Sequence, residues 1–503
     1  MTAPMRSRDS SDPVRLRIAP SPTGYMHVGT ARTALFNWLF ARQQGGRMIL
    51  RVEDTDRSRF VPDALEDLLA GLEWLGIGPD EGPGIGGAVG PYLQSERLAI
   101  YRPYADQLLS AGHAYRCFCS SERLREVREA RQSSGQKLGY DRLCRTLDPA
   151  ESARRAATGE PHVIRLAMPI EGTLTLRDVL RGDITFDVAE IEDVILVKTD
   201  GYPTYHLAVV IDDHLMAVSH VLRADEWIPS GPIQIRLYQA FGWREPIWVH
   251  LPLVLNAEGG GKMSKRFGGQ MTQVREYRAA GYLPEAMFNF LARLGWAYSG
   301  DEEIFSREQA LERFRIEDIK PTPAAWNIEK LDWMNGMYIR ALAPDELAER
   351  LLPFLRESGL AATIEQARSV APLVQERLIT LADAAPLVDF LWADEVAPAI
   401  GDMIPKGLDG AAVADLLAAA EAVLRAVDPW THAELEAALR GLAADRGLKL
   451  GPTLQPIRLA VTGKTVSPPL FESVEVLGRE RTLMRIAAAR GRMEVARDGV
   501  GRA

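Results

Sequence analysis

Cysteine is nearly absent: the 503-residue chain holds three, Cys117, Cys119 and Cys144. Three thiols cannot build a disulfide framework, so a reducing compartment is expected, with metal binding or simple packing as the remaining uses. Long hydrophobic runs are missing too, and none reaches the roughly 20 residues that span a bilayer. The opening stretch MTAPMRSRDSSDPV is polar and mixed in charge, without an apolar h-region. Neither secretion nor membrane insertion is expected, and the expected location is cytoplasmic. An excess of positive charge is also lacking, since the formal net charge is -9. That excludes a wholly basic nucleic-acid coat but not a local basic face, because phosphate contacts depend on where Lys and Arg stand. There is no evident internal repeat and no extended low-complexity segment.

What is present, 47% hydrophobic and 25% charged residues, is the composition of a globular protein, and the length calls for several cores. From Val14 to about Leu255 short β-rich runs alternate with helical patterns, which predicts an α/β domain with a parallel sheet. Beyond about Glu329 the chain becomes Ala- and Leu-rich with apolar residues at helical spacing, as in DELAERLLPFLRESGL and THAELEAALRGLAADRG. That third predicts an all-α module, and its second quoted stretch opens with a Thr431 to Glu434 capping-box spacing.

Near the start, VRLRIA predicts a buried strand, PSPTG a turn, HVGTARTALFNWLFARQQ a helix stopped by Gly45 and Gly46, and RMILRVED the next strand. Such a βαβ unit binds ligands at the C-terminal ends of its strands, where a helix N-terminus offers unpaired N–H groups to an anion. His27 and Gly29 stand there. Gly29 lets a ligand approach the backbone, and His27 can donate to phosphate oxygens as charge builds. Alone, an H-x-G is a capping histidine beside a packing glycine. A second stretch changes the balance: NAEGGGKMSKRFGG, residues 256–269, places Lys262, Lys265 and Arg266 among five glycines after the apparent strand IWVHLPLVL. A mobile basic loop of this kind closes over a polyphosphate. It is not a Walker A loop, since Asn256 stands where the first Gly is required and Met263 where Ser or Thr is. GPGIGG at 82–87 satisfies G-x-G-x-x-G but follows a helical pattern, so it predicts only a loop.

PSPTGYMHVGT together with KMSKR resembles the signature pair of class I aminoacyl-tRNA synthetases, and RIAPSPTG, RVEDTDR, GPYLQSERL, DGYPTYHLA, VIDDHLM, VLRADEW and LDWMNGMYI resemble, in order, the bacterial-type glutamyl-tRNA synthetases. The resemblance implies a multidomain α/β plus all-α fold: a Rossmann-like catalytic domain with an acceptor-binding insertion, and a helical C-terminal anticodon-binding module. The implied plan is a flexible tail over 1–13, the catalytic domain over 14–100 and 195–255, the insertion with its Cys cluster over 101–194, the KMSKR loop and stem-contact domain over 256–335, and the helical module over 336–503. The implied reaction activates L-glutamate with ATP, with Mg²⁺ on the phosphates, and passes it to the 3′ end of tRNA-Glu. Whether tRNA-Gln is a second substrate stays open. A monomer whose activation step depends on bound tRNA is also implied.

By the same resemblance His27, Gly29, Trp227, Lys262, Ser264 and Lys265 hold ATP, with His27, Lys262 and Lys265 stabilising the α-phosphate during attack. Arg17, Ala19, Ser21, Glu53, Tyr205 and Arg223 line the glutamate site, and Val209 stands where some members carry Asn. The chemistry fits, because a guanidinium presents a fork to a carboxylate and Glu53 can balance an ammonium. Arg377 lies near where discriminating members contact the last anticodon base. The cysteines resemble the zinc-binding insertion of some members, in which a fourth ligand follows two residues after the third cysteine; here that position is Thr146, and Tyr140 is the nearest substitute. Two possibilities stand: a structural zinc closed by Tyr140, or three thiols that hold no metal. Glutaminyl-tRNA synthetases read the anticodon with β-barrels and lack an arginine like Arg223. A small-acid adenylyltransferase would share the phosphate site without needing a helical module, and a regulatory tRNA-binding protein would be expected to show a broken signature.

His27→Ala or Lys265→Ala should raise the activation barrier by about 2–4 kcal/mol, with little change in tRNA affinity. Pyrophosphate exchange beside a tRNA-binding titration checks this, and unchanged kinetics in both variants would remove the phosphate site.

Overall fold

The structure, a computed structural model, describes residues 13–56, 59–135, 139–256, 261, 263 and 271–500. It divides into two compact units, one of residues 1–276 and 287–328 and the other of 277–286 and 329–503. No helix among the described residues is long and apolar enough to cross a membrane.

In the first unit, β1 (Arg15–Ile18) and β2 (Arg47–Leu50) run parallel, with Arg17 opposite Ile49, and α1 (Val28–Gln43) makes the crossover. Leu16, Met48, Ile49 and Leu50 are fully buried, as are Ala31, Ala34, Phe36 and Leu39 along α1. The helix ends where Gly45 takes φ +60°, a left-handed conformation that glycine adopts without penalty. Phe36 stacks on Phe314 at 5.6 Å and Trp38 meets Phe288 edge-on, so later chain covers the outer side of α1.

The middle of this unit adds two sheets. β3 (Ala114–Cys117), β4 (Val163–Leu166) and β7 (Ile195–Val197) form an antiparallel sheet in the order β3-β4-β7. β5 (Thr173–Asp178), β6 (Gly182–Asp187), β8 (His220–Ala224) and β9 (Ile247–Leu251) form the second, in the order β6-β5-β9-β8. Within it β8 and β9 are parallel, with Arg223 opposite His250, and β9 also pairs in parallel with β5 at Asp178 and Trp248. The Ser219 N–H donates to the Arg15 carbonyl at 2.8 Å and joins the start of β8 to β1. The C-terminal ends of β1, β2, β8 and β9 thus lie along one edge, where open parallel sheets bind ligands. The apparent strand IWVHLPLVL is broken: β9 stops before Pro252, and Val254–Leu255 pairs with Ala324–Ala325 instead. GPGIGG is a turn, closed by Gly82 N–H to the Gly86 carbonyl at 3.1 Å.

After Ala325 no strand occurs among the described residues. In the second unit Pro344–Glu357 packs on Ile364–Val374, and Gly410–Arg425 on Arg479–Val500. Leu347, Leu351 and Leu355, four residues apart, are fully buried, as the periodicity predicts. One detail differs from expectation. Thr431 is the N-cap of His432–Asp445, but its side chain makes no capping bond. Glu475 supplies the acceptor instead, taking the His432 N–H at 3.1 Å and the ring Nδ1 at 2.8 Å, so a carboxylate from another helix replaces the local cap.

Candidate active site

At the end of β1 the chain passes through Ala19–Met26 and enters α1. His27 is the N-cap, and its Nδ1 accepts the Gly29 N–H at 3.0 Å. That bond puts the ring proton on Nε2. Gly29 has a steric reason as well: a Cβ there would stand 3.2 Å from His27 Nδ1. The segment after the basic stretch is bonded to this element, with Val28 N–H donating to the Thr272 carbonyl at 2.9 Å and Val274 N–H to the Met26 carbonyl at 3.0 Å. Before the stretch, Met263 N–H donates to the Val254 carbonyl at 3.1 Å. Lys262, Ser264 and Lys265 lie outside the described residues, but Met263 and Gln273 on their flanks both line one cleft with His27 and Gly29.

That cleft, of about 1090 Å³, also brings together Arg17, Ala19, Ser21, Glu53, Tyr205, Arg223 and Trp227. Every sequence-predicted residue for ATP and glutamate that is described therefore faces one space. Arg223, almost fully buried, donates through Nη1 to the Tyr205 hydroxyl at 3.1 Å and through Nη2 to the Trp227 carbonyl at 3.4 Å. The Tyr205 and Trp227 rings lie 4.6 Å apart. Arg17 is tied to Asp213 through its Nε at 3.2 Å, and its two Nη nitrogens have no partner among the described residues. Val209 is buried in the core of its helix, Tyr205–Leu215.

Beneath the cleft is a charge network. Asp213 also accepts from Arg51 Nη1 at 2.6 Å, while Arg51 Nη2 reaches Glu53 at 3.3 Å. Neighbouring Asp212 accepts from Arg97 Nε at 2.8 Å, Gln94 at 2.9 Å and the Tyr101 hydroxyl at 2.9 Å. Burial works against the Asp213 carboxylate, but Arg17 and Arg51 outweigh it and hold its pKa below the ordinary range. Glu53 goes the other way: burial pushes it up to about 7 despite Arg51 and Arg17. Burial lowers the pKa of Arg223 and raises that of Tyr205.

In the region between β3 and β4 the sulfurs of Cys117, Cys119 and Cys144 all lie within 4.8 Å of one another. The Tyr140 hydroxyl is 3.2 Å from Cys117 Sγ and 3.7 Å from Cys119 Sγ. Thr146 turns away, its hydroxyl donating to the Leu143 carbonyl at 3.3 Å. In the second unit Arg377 follows the helix Ile364–Val374 and lines a shallow hollow with Trp333 and Arg340.

Residues 13–333 match the family model described as tRNA synthetases class I (E and Q), catalytic domain. The chain belongs to this synthetase family. Residues 346–490 of the synthetase match an anticodon binding domain. It is 48% identical to the glutamate–tRNA ligase of a Roseiflexus species over 95% of this chain and 96% of that one. It is 47% identical to that of Thermus thermophilus over 94% and 99%. A crystal structure of a glutamate tRNA ligase from Elizabethkingia meningosepticum, in complex with its amino acid, superposes with a TM-score of 0.87 at 33% identity, covering 95% of this chain and 99% of that one.

Sequence reasoning assigned no role to Arg51, Asp212 or Asp213, although two adjacent aspartates in an otherwise apolar helix were a signal. The raised pKa of Glu53 should make ligand binding in the cleft depend on pH. An ammonium-bearing ligand seated on Glu53 needs the carboxylate form, whose population falls from about 90% to about 10% between one unit above and one unit below a pKa of about 7. The KM for such an amino acid should rise about tenfold over that interval as pH falls, and Glu53→Gln should flatten the profile. A wild-type KM that holds constant across it would take Glu53 out of the site.

Proposed function

We propose that this chain ligates glutamate to tRNA through a glutamyl-adenylate. The observation that carries the reading is the single cleft in which a helix N-terminus with His27 and Gly29 shares space with Arg17, Glu53, Tyr205 and Arg223. One end suits a phosphate chain and the other an acidic amino acid.

In the first step the α-carboxylate of glutamate attacks the α-phosphorus of ATP, supplied as its Mg²⁺ complex. The new bond is a mixed anhydride and pyrophosphate leaves with the electron pair of the broken P–O bond. No side chain becomes covalently bound. Arg17 and Arg223 receive the side-chain carboxylate, Glu53 the ammonium, and Trp227 borders the adenine. His27 donates through Nε2 to the phosphate oxygens, and Lys262, Ser264 and Lys265 of the basic stretch complete the contacts. Catalysis is then positioning and electrostatics. In the second step a hydroxyl of the tRNA 3′-terminal ribose attacks the acyl carbon and AMP leaves. Residues 101–194 hold the acceptor end, 256–335 the stem and 336–503, with Arg377, the anticodon. The working form is a cytoplasmic monomer.

The same reading gives the cysteines a structural zinc. The separations suit sulfurs on one tetrahedral ion, which sit roughly 4 Å apart for bonds of about 2.3 Å. Tyr140 is the fourth donor, and Arg123, whose Nη1 is 3.3 Å from Cys119 Sγ, offsets the negative charge of such a set. Metal analysis of the purified chain should find about one zinc per molecule, with less retained by Tyr140→Phe and none by Cys144→Ser. A folded, active chain without metal would leave the cluster as three packed thiols.

Charging separate tRNA-Glu and tRNA-Gln with labelled glutamate and ATP tests reaction and partner together. Transfer to tRNA-Glu is expected. Transfer to both would mean a non-discriminating enzyme that needs an amidating step downstream, and transfer to neither, repeated with native tRNA, would bring forward adenylyl transfer to a small acid.

A further inference from the structure

Asp178, His250 and Arg223 lie on the adjacent strands β5, β9 and β8, with His250 opposite Arg223 and Asp178 opposite Trp248, two residues before His250. All three are buried, His250 completely. The Asp178 carboxylate is saturated: Oδ1 accepts the Leu180 and Arg181 N–H groups at 2.9 and 3.0 Å, and Oδ2 accepts the His250 backbone N–H at 2.9 Å. The same Oδ2 lies 2.7 Å from His250 Nδ1. A carboxylate facing a ring nitrogen at that distance makes Nδ1 the donor, so the neutral ring has its lone pair on Nε2. Nε2 is where Arg223 arrives, its Nε donating at 3.0 Å. Burial lowers the pKa of His250 and favours the neutral form.

Arg223 is thus fixed at all three nitrogens, by His250, the Tyr205 hydroxyl and the Trp227 carbonyl. Its guanidinium also lies over the Trp248 ring at 5.1 Å. The back-side contact decides which edge faces the cleft. With Nε taken by His250, the Nε/Nη edge is closed to a carboxylate, and two parallel bonds are left to the Nη1/Nη2 edge, where each nitrogen has a second N–H.

We propose that His250, with its tautomer set by Asp178, is a positioning residue for amino-acid recognition: it aims the Arg223 fork at the substrate's side-chain carboxylate without touching substrate. The inference rests on the assignment of Arg223 to that carboxylate. A protonated or reversed imidazole would set a donor against the Arg223 Nε–H and turn the fork away.

The test is tRNA-dependent pyrophosphate exchange with the full chain, with KM read separately for glutamate and for ATP. His250→Leu should raise the glutamate KM about tenfold or more and leave the ATP KM within about twofold. Asp178→Asn should raise the glutamate KM as well, because an amide cannot accept on both oxygens. His250→Gln keeps an acceptor toward Arg223 and a donor toward Asp178 and should restore most of the loss. In an Arg223→Ala background, adding His250→Leu should change the glutamate KM by no more than about twofold, since the two act through one contact. If His250→Leu does not fold, the Asp178→Asn and His250→Gln variants carry the comparison. Equal rises in both KM values, or a His250 effect that persists without Arg223, would make His250 a packing residue only. A glutamate KM indifferent to Arg223→Ala itself would instead overturn the carboxylate assignment, and this inference with it.

Discussion

Two adjacent carboxylates, Asp212 and Asp213, fix the floor of the cleft. They lie on the helix Tyr205–Leu215 and face three buried guanidiniums, Arg17, Arg51 and Arg97. Taking a guanidinium out of water without a partner costs several kcal/mol, and these carboxylates offset that cost for all three. Arg17 illustrates the result. Its Nε is committed to Asp213, which leaves the outer edge of its guanidinium for the cleft. Arg51, fully buried between Asp213 and Glu53, cannot reach the cleft; it links the floor to the carboxylate that borders it.

The end of the cleft proposed for the phosphates is fixed by backbone instead. Val28 bonds to Thr272 and Val274 to Met26, so the chain leaving the basic stretch is bonded to the start of α1. On the other flank, Arg32 of the same helix donates to the Pro252 carbonyl at 2.6 Å, just past the end of β9. Described residues on either side of the second signature, more than two hundred residues from the first in sequence, are therefore bonded to α1 and its start. A reaction that uses no protein nucleophile depends on such positioning, because its rate comes from where the phosphates and the carboxylate are held.

The sequence carried the features with local periodicity or a distinctive spacing. The βαβ unit was legible because two short β-rich runs, RLRI and RMIL, flank a helical pattern and Gly45 marks the end of α1. The helical third was legible from leucines four residues apart. The cleft's lining was legible only through the resemblance, since each arginine alone looks like a surface charge. The floor was not legible. Arg17 meets Asp213 across 196 residues and Arg51 meets it across 162, and no local pattern reports a partner at that distance. His250 was hidden for the same reason, as its meaning depends on the register of β9 between β5 and β8. Thr431 marks the limit of local motifs: the spacing located the helix start, but Glu475 from another helix satisfies it.

With Arg17 and Arg223 assigned to the substrate's side-chain carboxylate as proposed, the charge arrangement would favour a carboxylate over the isosteric amide. Burial already lowers the pKa of Arg223, and its three nitrogens are held by neutral groups, none of which neutralises it. Asp213 is shared between Arg17 and Arg51, and Arg51 also has Glu53 and Asp212 beside it. Arg223 therefore places positive charge at one end of the cleft, which a ligand carboxylate would offset. An amide of the same shape would place an NH₂ against a fork that can only donate and would leave the buried charge unmatched. Mismatches of this kind separate substrates more strongly than a methylene does, because a buried polar group is left without a partner. Selectivity then comes mainly from what the wrong ligand fails to neutralise, which requires an arginine held rigidly by partners that do not cancel its charge.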